Sequence, residues 1–426
     1  MLHLKLLLFL SWTLFVHGRI GFKKDQSIDT VEFPPRLGKM PDGIPQGHLR
    51  PLGYQRRPDS KIKEITEVPF PEEFHKDHVA KGTPLVLRGA VNDVPAMIKW
   101  EKDDYLKKTY GELDVHVVVK KELFTSGPRK LKFKKFLKEY QYEDWYMSNI
   151  VPKEMMKELI LPPNLKCGIQ HHLMESEMWM SAGGTASLLH SHADHNLHCL
   201  LAGRKDFILV HPKHKEKLDW VESKAGGGYS KLDVDRINMF KFKGVSQTSW
   251  TWATLKPGDC MFVPAGYLHQ VRSFGRSFSS TILWSPIEDA HFHDCDLEEV
   301  MKPLPLSEVD FLWTYKDGDR QLTDSELDSR STRHLLLIMT RNETALRKPV
   351  FVDFYEEIMS EIDAELFEGS DAIWEILDPE GSGSISKDDI MKLEEPTLTS
   401  LSLAFNLPNT LKQREKEKKE KEKEEL

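Results

Sequence analysis

The stretch WMSAGGTASLLHSHADHNLHCLLAGRK, Trp179 to Lys205, carries four histidines, an Asp, an Asn and a Lys on what reads as two antiparallel strands. Far downstream, GDCMFVPAGYLHQV from Gly258 to Val271 runs as a turn, a short apolar strand, a Pro/Gly turn and then His269, followed by strand residues. Two strands distant in the chain that each offer histidine point to a metal site in a β-barrel.

The segments around these strands agree. Lys81 to Val91 reads as a turn and an apolar strand, Asp103 to Tyr110 as a helix, and Asp114 to Lys120 as an alternating strand. Helical patterns at Lys132 to Tyr140 and Pro152 to Leu159 lead into the histidine stretch. Short β-segments follow at Phe207 to Val210, Thr251 to Leu255, Met261 to Val263 and Ser277 to Trp284. Short strands at close spacing after a helical lead predict a mainly β sandwich or jelly roll with flanking helices packed outside.

A chain of 426 residues is too long for one ordinary core, so two folded units plus tails are expected. A formal net charge of -8 with scattered charges argues against a nucleic-acid surface. The four cysteines, Cys167, Cys199, Cys260 and Cys295, lack CxxC spacing and form no zinc ribbon. One or two disulfides and buried free thiols are both open, because nothing in the spacing fixes a pairing.

The order PLVLRGAV, DDYLKKTYG, WMSAGGTASLLH, GRKDFILVHP, PGDCMFVPAGYLHQV and SFSSTILW resembles the JmjC family of cupin-type oxygenases, especially its small hydroxylase-like members. The resemblance covers residues 61–290 and implies a double-stranded β-helix. It also implies Fe(II) and 2-oxoglutarate, with metal ligands from an H-x-D/E pair on one strand and a distal His on another. In that family an Asn lies six residues after the first ligand and a Lys fifteen after it, both on the cosubstrate. Counted from His190, these are Asn196 and Lys205; Ser187 falls where a hydroxyl contacts the cosubstrate, and His269 takes the distal position.

That register departs from the family at one place, because His192 stands where Asp or Glu belongs. The site implied is His190, His192 and His269, with Asp194 as the alternative ligand or as an acceptor that orients His192. The competing register, His192-Ala193-Asp194, completes H-x-D but puts Asn196 and Lys205 two residues too early. A neutral imidazole in place of a carboxylate adds one positive charge and makes oxidation of bound iron harder. His171, His172, His195 and His198 have no matching spacing and read as ordinary surface or hydrogen-bonded residues.

After Pro305 the chain changes character. Ser307 is placed to cap a helix running through Phe311 and Trp313, and residues 303–405 read as an α-helical EF-hand lobe. Its first loop, 315–326, is degenerate, with Tyr315 at the first ligand position and Arg320 where Gly is wanted. The second loop, 378–389, presents Asp378, Glu380, Ser382, Ser384 and Asp389 as Ca²⁺ ligands, with Gly383 at the sharp turn. Leu322 and Ile385 occupy equivalent positions in the two loops, which suggests one paired lobe.

The ends read as address labels. Residues 1–18 have the short apolar run of a secretory signal peptide, too short to span a bilayer, and 19–60 is a Pro/Gly-rich extended arm. Residues 406–426 form a charged tail closing on KEEL, which resembles the KDEL class of retrieval signals. Asn342 heads the glycosylation sequon Asn342-Glu343-Thr344. The localisation implied is the endoplasmic reticulum lumen, with a retrieval receptor and a protein substrate as partners, no nucleic acid and no transmembrane segment. Two functions follow: an oxygenase that hydroxylates a protein side chain, or a catalytically silent JmjC scaffold with a Ca²⁺-tuned lobe. Histone demethylation fits poorly with such ends.

Overall fold

The computed structural model describes residues 31–119, 128–222, 227–286, 290, 292, 295–316, 319–322, 327–340, 343–360 and 362–424. The expected signal peptide, the sequon residue Asn342 and the last two residues of KEEL lie outside them.

Two long strands, His195–Val210 and Leu268–Trp284, pair antiparallel along nearly their whole length and form the spine of the molecule. Leu173–Ser181 pairs on the far side of the second, and Cys260–Val263 and Thr251–Leu255 pair in succession along the first. His190–Ser191 and Thr185–Ala186 add to the start of Leu268–Trp284. The result is a mainly β sheet with flanking helices, as expected of a cupin-type jelly roll.

Side-chain parity along His195–Val210 decides what faces the inside. Successive strand residues point to opposite faces. Leu197, Cys199 and Leu201 point outward into the core beneath the helices Pro71–Phe74, Asp103–Tyr110 and Phe133–Glu139, with Trp100, Tyr140 and Phe278. Leu200 points the other way, into a smaller cluster with Phe207, Leu209, Met261 and Val263. The even residue Leu200 and the odd residues Phe207 and Leu209 share this inner face because the register shifts twice, between Leu200 and Ala202 and between Ala202 and Arg204. Gly203 makes that bulge with φ +82; a Cβ there would meet the carbonyl oxygens of Arg276 at 2.6 Å and Phe274 at 2.8 Å. Asn196 and His198 therefore face the same side as Lys205.

The described part of the expected arm, residues 31–60, runs through several turns and is held against the β-domain. Leu49 and Leu52 donate backbone bonds to the carbonyls of Ile237 and Val234, and Phe33 lies edge-on to Trp252. Leu52 joins Ile208, Val210 and Trp250 on the outer side of the sheet. The cysteines all pair, Cys167 with Cys295 and Cys199 with Cys260. That settles the choice left open by their spacing.

The C-terminal unit differs from expectation in its first half. No helix runs through Phe311 and Trp313. Trp313–Lys316 and Asp319–Leu322 form a hairpin, and the Tyr315 hydroxyl donates to the Asp114 carbonyl at 2.6 Å. The sequence explains it: Trp313-Thr314-Tyr315 is an aromatic and β-branched run that favours a strand, and the Asp317-Gly318 pair that follows is a two-residue hairpin signal. Two helix–loop–helix units follow instead, Ser329–Thr340 with Lys348–Met359 and Ser370–Leu377 with Lys387–Met391. Their loops are joined by a short antiparallel pair in which Leu346, not Leu322, lies opposite Ile385. Both side chains are buried in a core with Phe351, Tyr355, Trp374 and Phe405, which also takes in Met174 and Leu283 from the β-domain. The charged tail continues one helix, Glu395–Glu424. No helix among the described residues is long and apolar enough to cross a membrane.

Candidate metal and cosubstrate site

His190 and His269 are direct cross-strand partners, which places their rings side by side at 4.2 Å between centroids. His192 follows where the strand ends, and its carbonyl accepts from the Gly266 N–H at 2.8 Å, so the Pro264–Gly266 turn fixes it beside the other two. Its ring lies 5.1 Å from that of His190 and 5.4 Å from that of His269. One ligand nitrogen from each comes within 4.8 Å of the others.

Two of the three rings are also set in the tautomer a metal ligand needs. His190 Nδ1 lies 2.9 Å from the Leu188 carbonyl and His269 Nδ1 lies 3.1 Å from the Tyr267 carbonyl. A carbonyl only accepts, so each Nδ1 carries the hydrogen and each Nε2 keeps a free lone pair. Burial lowers all three pKa values. His192 is pushed down to about 3 by burial and then by the neighbouring His190, and His269 lies well below the ordinary value for the same reasons. Three neutral imidazoles that converge on one point are a donor set for a divalent transition metal. Asp194 is not in this cluster. Strand geometry stops at Ser191 and the chain bends at 193–194, so the shared face that would bring residue 194 alongside residues 190 and 192 is interrupted.

Deeper in the barrel lies Lys205, only 2% exposed, whose Nζ donates to Ser279 Oγ at 2.8 Å. Burial pushes its ammonium down to about 7. Asn196 is 6% exposed and its Oδ1 has no protein partner. Ser187 is half-buried; its Oγ accepts from the Val271 N–H at 2.8 Å, which leaves the hydroxyl hydrogen to donate. A buried ammonium with one neutral partner and an orphaned amide oxygen fit a polar anionic ligand better than a sealed core.

Sequence reading named neither Ser279 nor Thr281, and it took His198 as an ordinary surface or hydrogen-bonded residue. Ser279 and Thr281 are inward positions two apart on Leu268–Trp284, opposite Leu200 and His198. Alternation in SFSSTILW and the two-residue step from Asn196 to His198 were the available signals. The plain reading of His195 holds, since its Nδ1 accepts from the Ala265 N–H at 3.1 Å and its ring packs on Trp284.

Residues 71–290, just over half of the chain, match the family model of the cupin-like domain. Among similar proteins, Jumonji C domain-containing protein 5 of Drosophila melanogaster is 25% identical over 235 residues, which are 51% of this chain and 58% of that protein. Lysine-specific demethylase JMJ30 of Arabidopsis thaliana is 27% identical over 227 residues, 50% of this chain and 52% of the relative. The human bifunctional peptidase and (3S)-lysyl hydroxylase JMJD7 is 20% identical over 254 residues, 50% of this chain and 80% of the relative. The chain thus spans little more than half the length of the first two. JmjC homologues of this kind are Fe(II)- and 2-oxoglutarate-dependent oxygenases. The chain belongs to the cupin-like JmjC domain family.

Proposed function

We propose that this protein is an Fe(II)- and 2-oxoglutarate-dependent oxygenase of the secretory pathway that hydroxylates a protein side chain. One observation carries the reading: three neutral imidazoles and the buried ammonium of Lys205 open onto one barrel interior, with Asn196 between them in sequence. His190, His192 and His269 hold the metal. Lys205, Asn196 and Ser187 hold the cosubstrate, the lysine as a point charge for a carboxylate. Bound iron and 2-oxoglutarate supply the oxidation, in which one oxygen atom of O₂ enters a substrate C–H bond and the other enters succinate, with release of CO₂. The protein's own part is to exclude water, keep the imidazoles unprotonated and orient the two anionic ends.

The three-imidazole set gives the metal no protein carboxylate, so the cosubstrate dianion is its charge partner. Metal and 2-oxoglutarate are therefore expected to bind with strong mutual dependence. Anaerobic titration with Fe(II) and 2-oxoglutarate, followed by the visible charge-transfer band of the chelate, tests this reading with His269→Ala as control. A folded protein without the band points to the second reading, a JmjC scaffold without turnover, which His192 in the carboxylate position favours.

Localisation in the endoplasmic reticulum lumen, with a KDEL-type retrieval receptor as partner, rests on the ends of the sequence. Two disulfides and no free cysteine among the described residues support an oxidising compartment. The second helix–loop–helix is proposed as the Ca²⁺ loop of an EF-hand pair, with Asp378, Glu380, Ser382, Ser384 and Asp389 as ligands. The Leu346–Ile385 strand pair supports that reading and moves the partner loop from 315–326 to the connection between Ser329–Thr340 and Lys348–Met359. Asp378 accepts from the Ser382 N–H at 2.9 Å and the Gly383 N–H at 2.6 Å, which curls the loop around its carboxylate.

A further inference from the structure

His198 lies inside the same barrel, yet neither the metal cluster nor the resemblance gives it a role. It is 8% exposed and stands on the inner face two residues beyond Asn196, opposite Thr281. Its Nδ1 is 3.0 Å from Thr281 Oγ1, and its ring lies edge-on to Phe207 at 5.4 Å. Its other nitrogen, Nε2, is buried with no partner in the protein, as is Asn196 Oδ1. Leaving a buried nitrogen unpaired is costly, and such groups persist where a ligand or water completes them.

The position of the ring is specific. Ser279 and Thr281 are neighbouring inward residues of one strand; the first accepts from Lys205 and the second meets His198. The lysine head and the imidazole therefore hang from adjacent rungs. Burial first, then the neighbouring Lys205 ammonium, lowers the pKa of the ring and keeps it neutral. A neutral imidazole carries one hydrogen. The Thr281 hydroxyl can donate to Nδ1 or accept from it; in the tautomer in which it donates, the ring hydrogen sits on Nε2, where an anionic oxygen would accept it.

We propose that His198 is a further cosubstrate-binding residue, which donates from Nε2 to a carboxylate oxygen of a bound 2-oxo dicarboxylate while Lys205 neutralises its charge. This rests on the oxygenase reading and deepens it. The histidine adds a directional, uncharged donor to the ammonium, and so binds an acceptor of fixed position without adding positive charge near a metal that already lacks a protein carboxylate. Thr281 acts through it by bonding Nδ1 and so fixing the ring's orientation, and the bound carboxylate selects the tautomer with hydrogen on Nε2.

The test uses the full chain loaded with Mn(II) and titrated with 2-oxoglutarate by calorimetry, with Mn(II) affinity measured separately. His198→Phe keeps an aromatic ring edge-on to Phe207 and removes the donor. The dicarboxylate Kd is expected to weaken roughly ten- to a hundredfold while Mn(II) binding is unchanged. His198→Gln, whose amide nitrogen reaches about where Nε2 lies, is expected to recover part of the loss. In wild type loaded with Zn(II), one histidine Nε2–H resonance should move downfield on adding 2-oxoglutarate and be missing in His198→Gln; this readout stands even if the phenylalanine variant does not fold. Unchanged dicarboxylate affinity in His198→Phe overturns the proposal and leaves the oxygenase reading intact. A wild-type chain that takes Mn(II) but no dicarboxylate overturns both.

Discussion

Replacing Lys205 by methionine should make the metal-free protein more stable and remove its affinity for dicarboxylates. The ammonium is 2% exposed, its one hydrogen bond is to a neutral hydroxyl, and burial moves its pKa from 10.5 to about 7. At 1.36 kcal/mol for each tenfold change, holding that group charged inside the fold at pH 7 costs roughly 5 kcal/mol. Methionine fills a similar volume without the charge. It leaves Ser279 Oγ without its donor, which returns about 1–3 kcal/mol of the gain. The net expectation is a stabilisation of about 2–4 kcal/mol at pH 7. The sign of the pH dependence follows from linkage. Between about pH 7 and 10.5 the unfolded lysine binds a proton that the folded one does not, so wild-type stability rises across that window through this group. The penalty is complete below pH 7. Calorimetric melting of both proteins at pH 6, 7, 8 and 9 should show Lys205→Met ahead at pH 6 and 7, with the gap closing by pH 9. Added 2-oxoglutarate should raise the melting temperature of metal-loaded wild type only. A variant that melts below wild type at pH 7, or a gap independent of pH, would refute the argument that the lysine is a strained group awaiting an anion.

His192→Ala should abolish metal binding, measured by calorimetry with Mn(II), while Asp194→Ala lowers it at most a few fold; the opposite ranking would sink the three-histidine assignment. His192→Asp restores the anion and should raise 2-oxoglutarate turnover to succinate at least tenfold if the missing carboxylate is what limits the site. Trp374 Nε1 donates to Asp378 Oδ2 at 3.1 Å, so Ca²⁺ binding at residues 378–389 should shift tryptophan emission, and Asp378→Ala should erase that shift; a shift that survives places the ion elsewhere. Cys167 and Cys295 are 128 residues apart, and releasing a loop of that size by double substitution to Ser should cost about 4–5 kcal/mol, read as a lowered melting temperature.

Much of this was legible in the sequence because it depends on local pattern. His190, His269 and Lys205 sit where spacing puts them, and the helix at Asp103–Tyr110 and the strands at Asp114–Val119 and Thr251–Leu255 follow from period and composition. Trp313 to Leu322 departs from the expected helix and loop because a capping serine was taken as the start of a helix, while Trp313, Thr314 and Tyr315 favour a strand. The partner of Ile385 was missed for another reason: Leu346 lies in a segment with few acidic ligands, and only strand pairing reveals it. His198 was set aside because a histidine with no motif spacing looks like any surface histidine until its burial is known.

By itself, the sequence determined which residue types were available, their order, and the departure at His192, since these are properties of the chain. The tertiary structure decided which of them face one another. Asn196 and Lys205 are nine residues apart, an odd step that would send them to opposite faces of a regular strand. They share the barrel interior because the register slips at the bulge around Gly203, against carbonyls that leave no room for a Cβ. Whether a strand slips depends on its neighbour as much as on its own residues, and that neighbour, Leu268–Trp284, is supplied from more than sixty residues further along the chain.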